Sequence, residues 1–343
     1  MKILLAGDDF VRNTQLRAAI TEAGVSAEFA ELSLPWPQVP FGAVAEVDEA
    51  SGDEEAVASA LADCDVVVTQ MAPVTAAVLD RAPRLRLVVC TRGGPVNVNL
   101  AAAAEHGVAV SATPGRNAVA AAEYALLMML AAMRNLPAVH DSVVAGEWRS
   151  DLYAYAACGS EMAGSTVGLI GLGEIGRRVA ALVRAMGATV LAHDPFVAPD
   201  HVSGVELTTL EDLLGRSDVV SLHARLTPQT AGMIAAAQFA MMRPGTVLVN
   251  TARGGLLDYP AAAAALADGT LRSLALDVYE QEPVDPGLPL LSAPNVVLSP
   301  HLAGATRQTA ERAARMAGAE VGRFANGEPL AYLKNGVTAA VPS

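Results

Sequence analysis

The sequence predicts an α/β protein built on two doubly wound parallel sheets. Three observations predict it. Short apolar runs rich in β-branched residues alternate with helix-patterned segments along the chain. The alternation falls into two tandem stretches with the long apolar segment Ala118 to Met133 between them. The 343 residues are enough for two separate cores.

In chain order, Met1 to Ala6, Val44 to Val47, Val66 to Thr69, Leu87 to Cys90 and Val108 to Ser111 read as strands. Between several of them lie helical segments, notably Asn13 to Ala23, Glu54 to Ala62 and Val98 to Glu105. The helix Ala118 to Met133 is interrupted by Glu123 and too short for a membrane span, so it reads as a buried interdomain or interface helix. A turn-rich stretch, Ala145 to Gly164, carries Trp148, Tyr153 and Tyr155. Strands follow at Val167 to Ile170, Ala188 to Ala192, Val219 to His223, Val247 to Asn250, Ser273 to Asp277 and Val296 to Leu298. The last helix, Arg307 to Phe324, returns the chain to the first sheet, and the two crossings form a hinge.

The segment Val167 to Ala180, VGLIGLGEIGRRVA, is the most specific local signal. A buried strand runs into Gly171, Gly173 and Gly176 and then into a helix, whose amide hydrogens and positive end suit a pyrophosphate. A second apolar run ends at His193-Asp194, and Asp194 stands at the offset of an acid that accepts from ribose hydroxyls. That acid favours NAD over NADP. This half, residues 113–307, is therefore expected to be a Rossmann NAD-binding domain. Residues 1–112 with 308–343 are expected to form a flavodoxin-like substrate domain.

Composition narrows the partners. Thirty-six Asp and Glu against 23 Lys and Arg leave a net charge of -13. With no basic run, this argues against general nucleic-acid or anionic-membrane binding. Cys64, Cys90 and Cys158 have no metal-ligand spacing and read as structural cysteines of a reducing compartment, with no metal site expected. The start MKILLAGDD has neither the apolar region nor the cleavage site of a signal peptide, so a cytoplasmic location is expected.

Three polar residues stand at predicted strand ends, where such sheets place ligands: Arg253 in NTARGGLLD, Glu282 in LDVYEQEP and His301 in LSPHLAGAT. With these motifs in order, and with Ala72 to Pro83, Thr113 to Leu126 and Ser221 to Thr230, the chain resembles the D-isomer-specific 2-hydroxyacid dehydrogenases over nearly its whole length. That family includes phosphoglycerate, glycerate and D-lactate dehydrogenases. The resemblance implies a catalytic set of Arg253, Glu282 and His301. Histidine suits proton exchange with a hydroxyl near neutral pH, a neighbouring carboxylate orients and charges it, and arginine clamps a substrate carboxylate in two-point geometry.

The resemblance also implies that Arg92, Gly93 and Gly94, with Asn117 and Arg253, hold the substrate. Gly171, Gly173, Glu174, Ile175, Gly176, Asp194, His223, Thr251, Asp277 and Gly304 would hold the cofactor, Asp277 accepting from the nicotinamide amide. An asparagine helix cap explains Asn117 equally. Arg92 stands where many relatives have a small residue and is expected to contact a second anionic or polyhydroxylated part of the substrate. Arg225, where proline is common in the family, bears on the choice between NAD and NADP.

A homodimer through the nucleotide domain is expected, with Leu126 to Met133 contributing. The chain ends soon after Phe324, so the regulatory domain of some phosphoglycerate dehydrogenases, and its serine-type feedback, are not expected. Two alternatives stand beside the dehydrogenase. One is a nucleotide-sensing corepressor of the same fold. The other is a formate or phosphite dehydrogenase, against which Glu282 counts because formate dehydrogenases pair the histidine with glutamine.

Overall fold

The computed structural model describes residues 1–198 and 203–338, so the end of the range expected for the first domain, 339–343, lies outside it. The chain divides into two compact units, residues 1–116 with 305–343 and residues 117–304. The expected crossings at 112/113 and 307/308 shift by a few residues for local reasons. Thr113 N–H donates to the Arg92 carbonyl and Arg116 donates to Gln70, which keeps 113–116 with the first sheet. Gly304 lies against Asn117 within the second unit.

The first unit contains β1 (Lys2–Gly7), α1 (Asn13–Glu22), β2 (Glu28–Ser33), β3 (Gly42–Val44), β4 (Val47–Ala50), α2 (Glu54–Leu61), β5 (Val66–Thr69), α3 (Ala76–Asp80), β6 (Leu87–Cys90), α4 (Leu100–Glu105) and β7 (Ala109–Ser111). Its parallel sheet has the order β2-β1-β5-β6-β7, the flavodoxin-like order. Every residue of β5 and β6 is buried, as continuous apolar runs covered on both faces require.

One expected strand is corrected. Val44 to Val47 is the turn of an antiparallel hairpin, β3 with β4, and Ala45 sits there at φ 48°. The sheet's edge is instead β2, EFAELS, which the sequence reading passed over. Edge strands tolerate charge because one side faces water, and the acids of β2 mask its alternation.

The second unit contains α5 (Ala118–Met133), α6 (Leu136–Val144), β8 (Thr166–Ile170), α7 (Glu174–Ala185), β9 (Thr189–His193), β10 (Glu206–Leu207), α8 (Leu210–Arg216), β11 (Val219–Leu222), α9 (Ala236–Phe239), β12 (Thr246–Asn250), α10 (Tyr259–Ala267), β13 (Leu271–Leu276) and β14 (Val296–Leu298). Its seven strands are parallel in the order β10-β9-β8-β11-β12-β13-β14. This is the dinucleotide-binding order, reversing direction beside β8.

The helix α5 is a core element of the second unit. It packs on α7 and across β12, β13 and β14, and it buries Met128, Met129 and Met133 while Leu127 stays exposed. A run of exposed apolar side chains follows it, at Leu136, Val143, Val144, Trp148, Tyr153 and Tyr155. The closing helix α11 (Arg307–Ala325) returns to the first unit, where Gly318 meets the Ala19 carbonyl of α1 so closely that no Cβ fits between them.

Candidate active site

The turn after β8 has three glycines with three different jobs. Gly171 adopts φ 97°, and a Cβ there would lie 2.7 Å from backbone atoms of His223 and Ala224. Gly176 packs its Cα against the Gly171 carbonyl, leaving 2.3 Å for a Cβ. Gly173 faces open space, with no protein atom within 4 Å of where its Cβ would be. The first glycine makes the turn and the third lets α7 approach the strand. The second leaves the backbone bare for a ligand's closest approach.

Gly173 is also the N-cap of α7 and supplies no capping side chain, so the first-turn amides ahead of Glu174 and Ile175 remain available to a phosphate. Asp194, at the end of β9, accepts from Leu172 N–H (2.7 Å) and Phe196 N–H (3.0 Å). This fixes the carboxylate against the glycine turn, with further lone pairs left for hydroxyl donors.

At the next strand ends, His223 is hydrogen-bonded to Ser221 Oγ at 3.0 Å, and burial pushes its pKa down to about 4, so it is neutral at physiological pH. Thr251, just past β12, has a buried Oγ1 with no hydrogen-bond partner. An orphaned buried hydroxyl is costly unless a ligand completes it. The bare Gly173, the uncapped helix start and this hydroxyl are the donor set a dinucleotide would use, and the residues present fit NAD(H). Arg225 is exposed on the same rim.

The reactive group lies in the same unit. Arg253 follows β12 and is exposed, its Nη1 donating to the Ala252 carbonyl at 2.6 Å. The next residue, Gly254, has no room for a side chain, since a Cβ would fall 1.9 Å from the Tyr279 carbonyl carbon. Packing the Arg253 turn onto the segment after β13 therefore requires glycine.

Glu282 and His301 meet: His301 Nδ1 to Glu282 Oε2 is 2.8 Å, and Glu282 Oε1 accepts from Tyr279 N–H at 3.0 Å. An ionised carboxylate only accepts, so Nδ1 carries the proton and Nε2 is the atom free for exchange. The hydrogen bond that His301 donates to Glu282 raises the His301 pKa above the ordinary histidine value against the opposing effect of burial, with smaller help from the Glu282 and Asp277 charges. Burial works to raise Glu282, but the bonds from His301 and Tyr279 outweigh it and leave the carboxyl below its ordinary range.

His301 has φ 57°, in the left-handed region that histidine visits more readily than bulky residues do. Asp277 holds it there. Fully buried at the end of β13, its Oδ1 accepts from Ser299 Oγ (2.6 Å) and Leu302 N–H (2.8 Å), and its Oδ2 accepts from Ala303 N–H (2.8 Å). Tyr279 Oη adds a bond to the Ser299 carbonyl. The sequence points to Asp277 as a cofactor residue, but it gives no sign of this clamp on the amides after His301. A carboxylate at a strand end reads the same way whether it faces a ligand or its own loop.

Gly304 closes the loop against Asn117. Asn117 makes no side-chain cap bond to α5, so the helix-cap alternative does not account for it.

In the first unit, Arg92 to Pro95 follow β6. Gly93 and Gly94 are exposed with little or nothing near their Cα atoms, so their backbone is open to a ligand. The loop is anchored by buried Asn97, which donates to the Ala72 carbonyl at 2.8 Å. Arg92 is not free as the sequence suggests: Nη2 donates to Glu49 Oε2 at 2.6 Å and Nη1 lies 3.2 Å from Met71 Sδ. Glu49 sits on β4 of the hairpin, an element the sequence reading did not recognise.

A family model described as the NAD binding domain of D-isomer specific 2-hydroxyacid dehydrogenase matches residues 126–303, a span holding the glycine turn, Asp194, Arg253, Glu282 and His301. The D-3-phosphoglycerate dehydrogenase of Mycobacterium bovis is 40% identical over 264 residues, 76% of this chain and 49% of the relative. The glyoxylate reductase of Korarchaeum cryptofilum is 36% identical over 284 residues, 82% of this chain and 86% of the relative. The chain thus spans about half the length of the phosphoglycerate dehydrogenases it matches. The solved structure of a D-2-hydroxyisocaproate dehydrogenase is similar with a TM-score of 0.82 and 27% identity, over 98% of this chain and 100% of that one. Fold, motif order and these likenesses agree: the chain belongs to the NAD-dependent D-isomer specific 2-hydroxyacid dehydrogenase family.

Proposed function

We propose that the protein interconverts a 2-keto acid and its D-2-hydroxy acid with NAD(H). The observation that carries this reading is the His301–Glu282 pair, held at 2.8 Å among the same strand ends as Arg253 and the glycine turn. When bound, the nicotinamide supplies or accepts the hydride at C2. In the reductive direction His301 Nε2 gives its proton to the carbonyl oxygen as C2 gains the hydride; in the oxidative direction it takes the hydroxyl proton back. Arg253 polarises that oxygen and clamps the adjoining carboxylate. Glu282 keeps the imidazole charged and aimed.

Asp194 supports NAD over NADP, because a 2′-phosphate beside a carboxylate is repelled. The names of the relatives, D-3-phosphoglycerate dehydrogenase and glyoxylate reductase, support trying glyoxylate and phosphorylated three-carbon acids as substrates.

The test is the initial rate of NADH oxidation with glyoxylate, hydroxypyruvate, phosphohydroxypyruvate and longer 2-keto sugar acids, repeated with NADPH. Turnover concentrated on one substrate class, and faster with NADH, is the expected result. Tight NADH binding without turnover on any of them would overturn the reading in favour of a nucleotide-sensing protein.

The pH dependence follows from the paired carboxylate. Reduction needs charged His301, so the rate is full below its pKa and falls as pH rises through it. Glu282→Gln removes the largest cause of the raised value. The falling limb of the kcat profile is expected to move to lower pH in that variant. If the limb stays in place while kcat drops, the carboxylate orients the ring without charging it.

A further inference from the structure

One residue of the second unit touches the backbone around all three catalytic side chains. Tyr279 lies just past β13, after Asp277 and Val278. Its N–H donates to Glu282 Oε1 at 3.0 Å, and its Oη donates at 3.2 Å to the carbonyl of Ser299, which Pro300 separates from His301. Its own carbonyl occupies the space that a Cβ on Gly254 would need, so it packs on the turn that begins at Arg253.

These contacts bracket His301. Asp277 fixes the loop after the imidazole through Leu302 and Ala303 N–H, and Tyr279 fixes the peptide that leads into it. The Glu282 carboxylate is divided in the same way, Oε2 taking the bond from His301 and Oε1 the bond from Tyr279. A single residue therefore holds both partners of the 2.8 Å pair, Glu282 by its main chain and the His301 loop by its side chain.

The phenol is a constant donor. Burial pushes its pKa up to about 12, with help from the Asp277 and Glu282 charges, so it stays protonated wherever His301 titrates. Among the charged groups that face His301, Glu282 and Asp277 raise its pKa and Arg253 lowers it. Glu282 acts chiefly through its hydrogen bond, and a hydrogen bond weakens steeply as its length and angle depart from the optimum. Whatever sets the spacing of the pair also sets how strongly the imidazole is charged.

We propose that Tyr279 is a positioning residue, which fixes the spacing and aim of the Glu282–His301 pair through its hydroxyl bond to the Ser299 carbonyl. Its effect on turnover rests on the dehydrogenase reading above, whereas its effect on the imidazole does not.

Two measurements on the full chain test it. The first is an NMR titration of the His301 imidazole without cofactor or substrate, the signal being assigned by its loss in His301→Asn. In Tyr279→Phe the His301 pKa is expected to fall, by less than in Glu282→Gln. The same substitution should add little in the Glu282→Gln background, where the pair it acts through is already broken. Tyr259→Phe is the control. Tyr259 Oη donates to the Val278 carbonyl at 3.1 Å, one peptide away, and bonds to neither Glu282 nor Ser299. Its loss is expected to lower Tm and leave the His301 pKa in place.

The second measurement is the kinetics of 2-keto acid reduction at a pH above the shifted His301 pKa. There kcat in Tyr279→Phe is expected to fall about three- to tenfold with KM for NADH unchanged, the loss that one neutral hydrogen bond implies. An unmoved His301 pKa, a shift of equal size in Tyr259→Phe, or a shift that adds in full to that of Glu282→Gln overturns the proposal. So does a loss confined to KM for NADH. The expected titration without turnover of any keto acid would instead overturn the dehydrogenase reading and leave the positioning role standing.

Discussion

His301→Asn is expected to slow 2-keto acid reduction by about 10²- to 10⁴-fold, the usual contribution of a positioned acid and base. NADH binding, followed by its fluorescence, should stay at the wild-type level. Asparagine is the informative replacement because His301 sits at φ 57°, which asparagine accepts and a β-branched residue does not. The loop therefore keeps its path, and what is lost is the exchangeable proton at Nε2. An asparagine side chain can still meet Glu282, so a residual rate from Arg253 and substrate alignment is anticipated. A variant that retained most of its rate would place the proton donor elsewhere.

The second large effect is expected at Asp277. Its two oxygens accept from Ser299 Oγ, Leu302 N–H and Ala303 N–H, and Asp277→Asn replaces one of them with a donor facing a donor. At least one buried amide is then unpaired, at a cost of about 1–3 kcal/mol. The loop that carries His301 loosens, and the histidine also loses a neighbouring negative charge that helps to raise its pKa.

The expected result is a lower Tm together with a kcat reduced by about tenfold or more, with KM for NADH little altered. The opposite split, an impaired KM for NADH with kcat and Tm preserved, would assign Asp277 to the nicotinamide amide instead. The two roles are thus separable by kinetics and calorimetry on a single variant.

The sequence made some parts of this site legible and hid others, for identifiable reasons. Gly171, Gly173 and Gly176 could be found because backbone geometry and close packing leave no alternative residue at the first and third positions. Arg253, Glu282 and His301 were found by motif order, and the geometry brings Glu282 and His301 into contact. The strand β2 was missed because its outward acids break the apolar pattern, and β10 because two residues carry no period.

The hairpin β3–β4 was misread as one strand, and with it the Glu49 partner of Arg92 was lost. Pairings of this kind join residues more than forty positions apart, and no local pattern announces them. Arg116 illustrates the same limit. It lies inside the Thr113 to Leu126 motif beside the conspicuous Asn117, and its contacts with Gln70 and Phe10 are visible only in the fold.

The route of the chain through the two units bears on how the protein is made. Residues 117–304 are one continuous stretch whose ends lie side by side, Gly304 against Asn117, so this unit can complete its core as soon as it has left the ribosome. The other unit cannot. One face of its sheet is covered in part by Ala310, Ala313, Ala314, Ala317, Val321 and Phe324 of α11, which are translated after the whole of the other unit. Until they arrive, Ile3, Leu5, Val66, Val68, Leu87 and Val89 have only part of their cover, from Leu16, Ala19 and Ile20 of α1. The nascent chain therefore carries a finished nucleotide-binding unit and an unfinished, exposed one at the same time, and that interval is when chaperone capture and aggregation compete with folding.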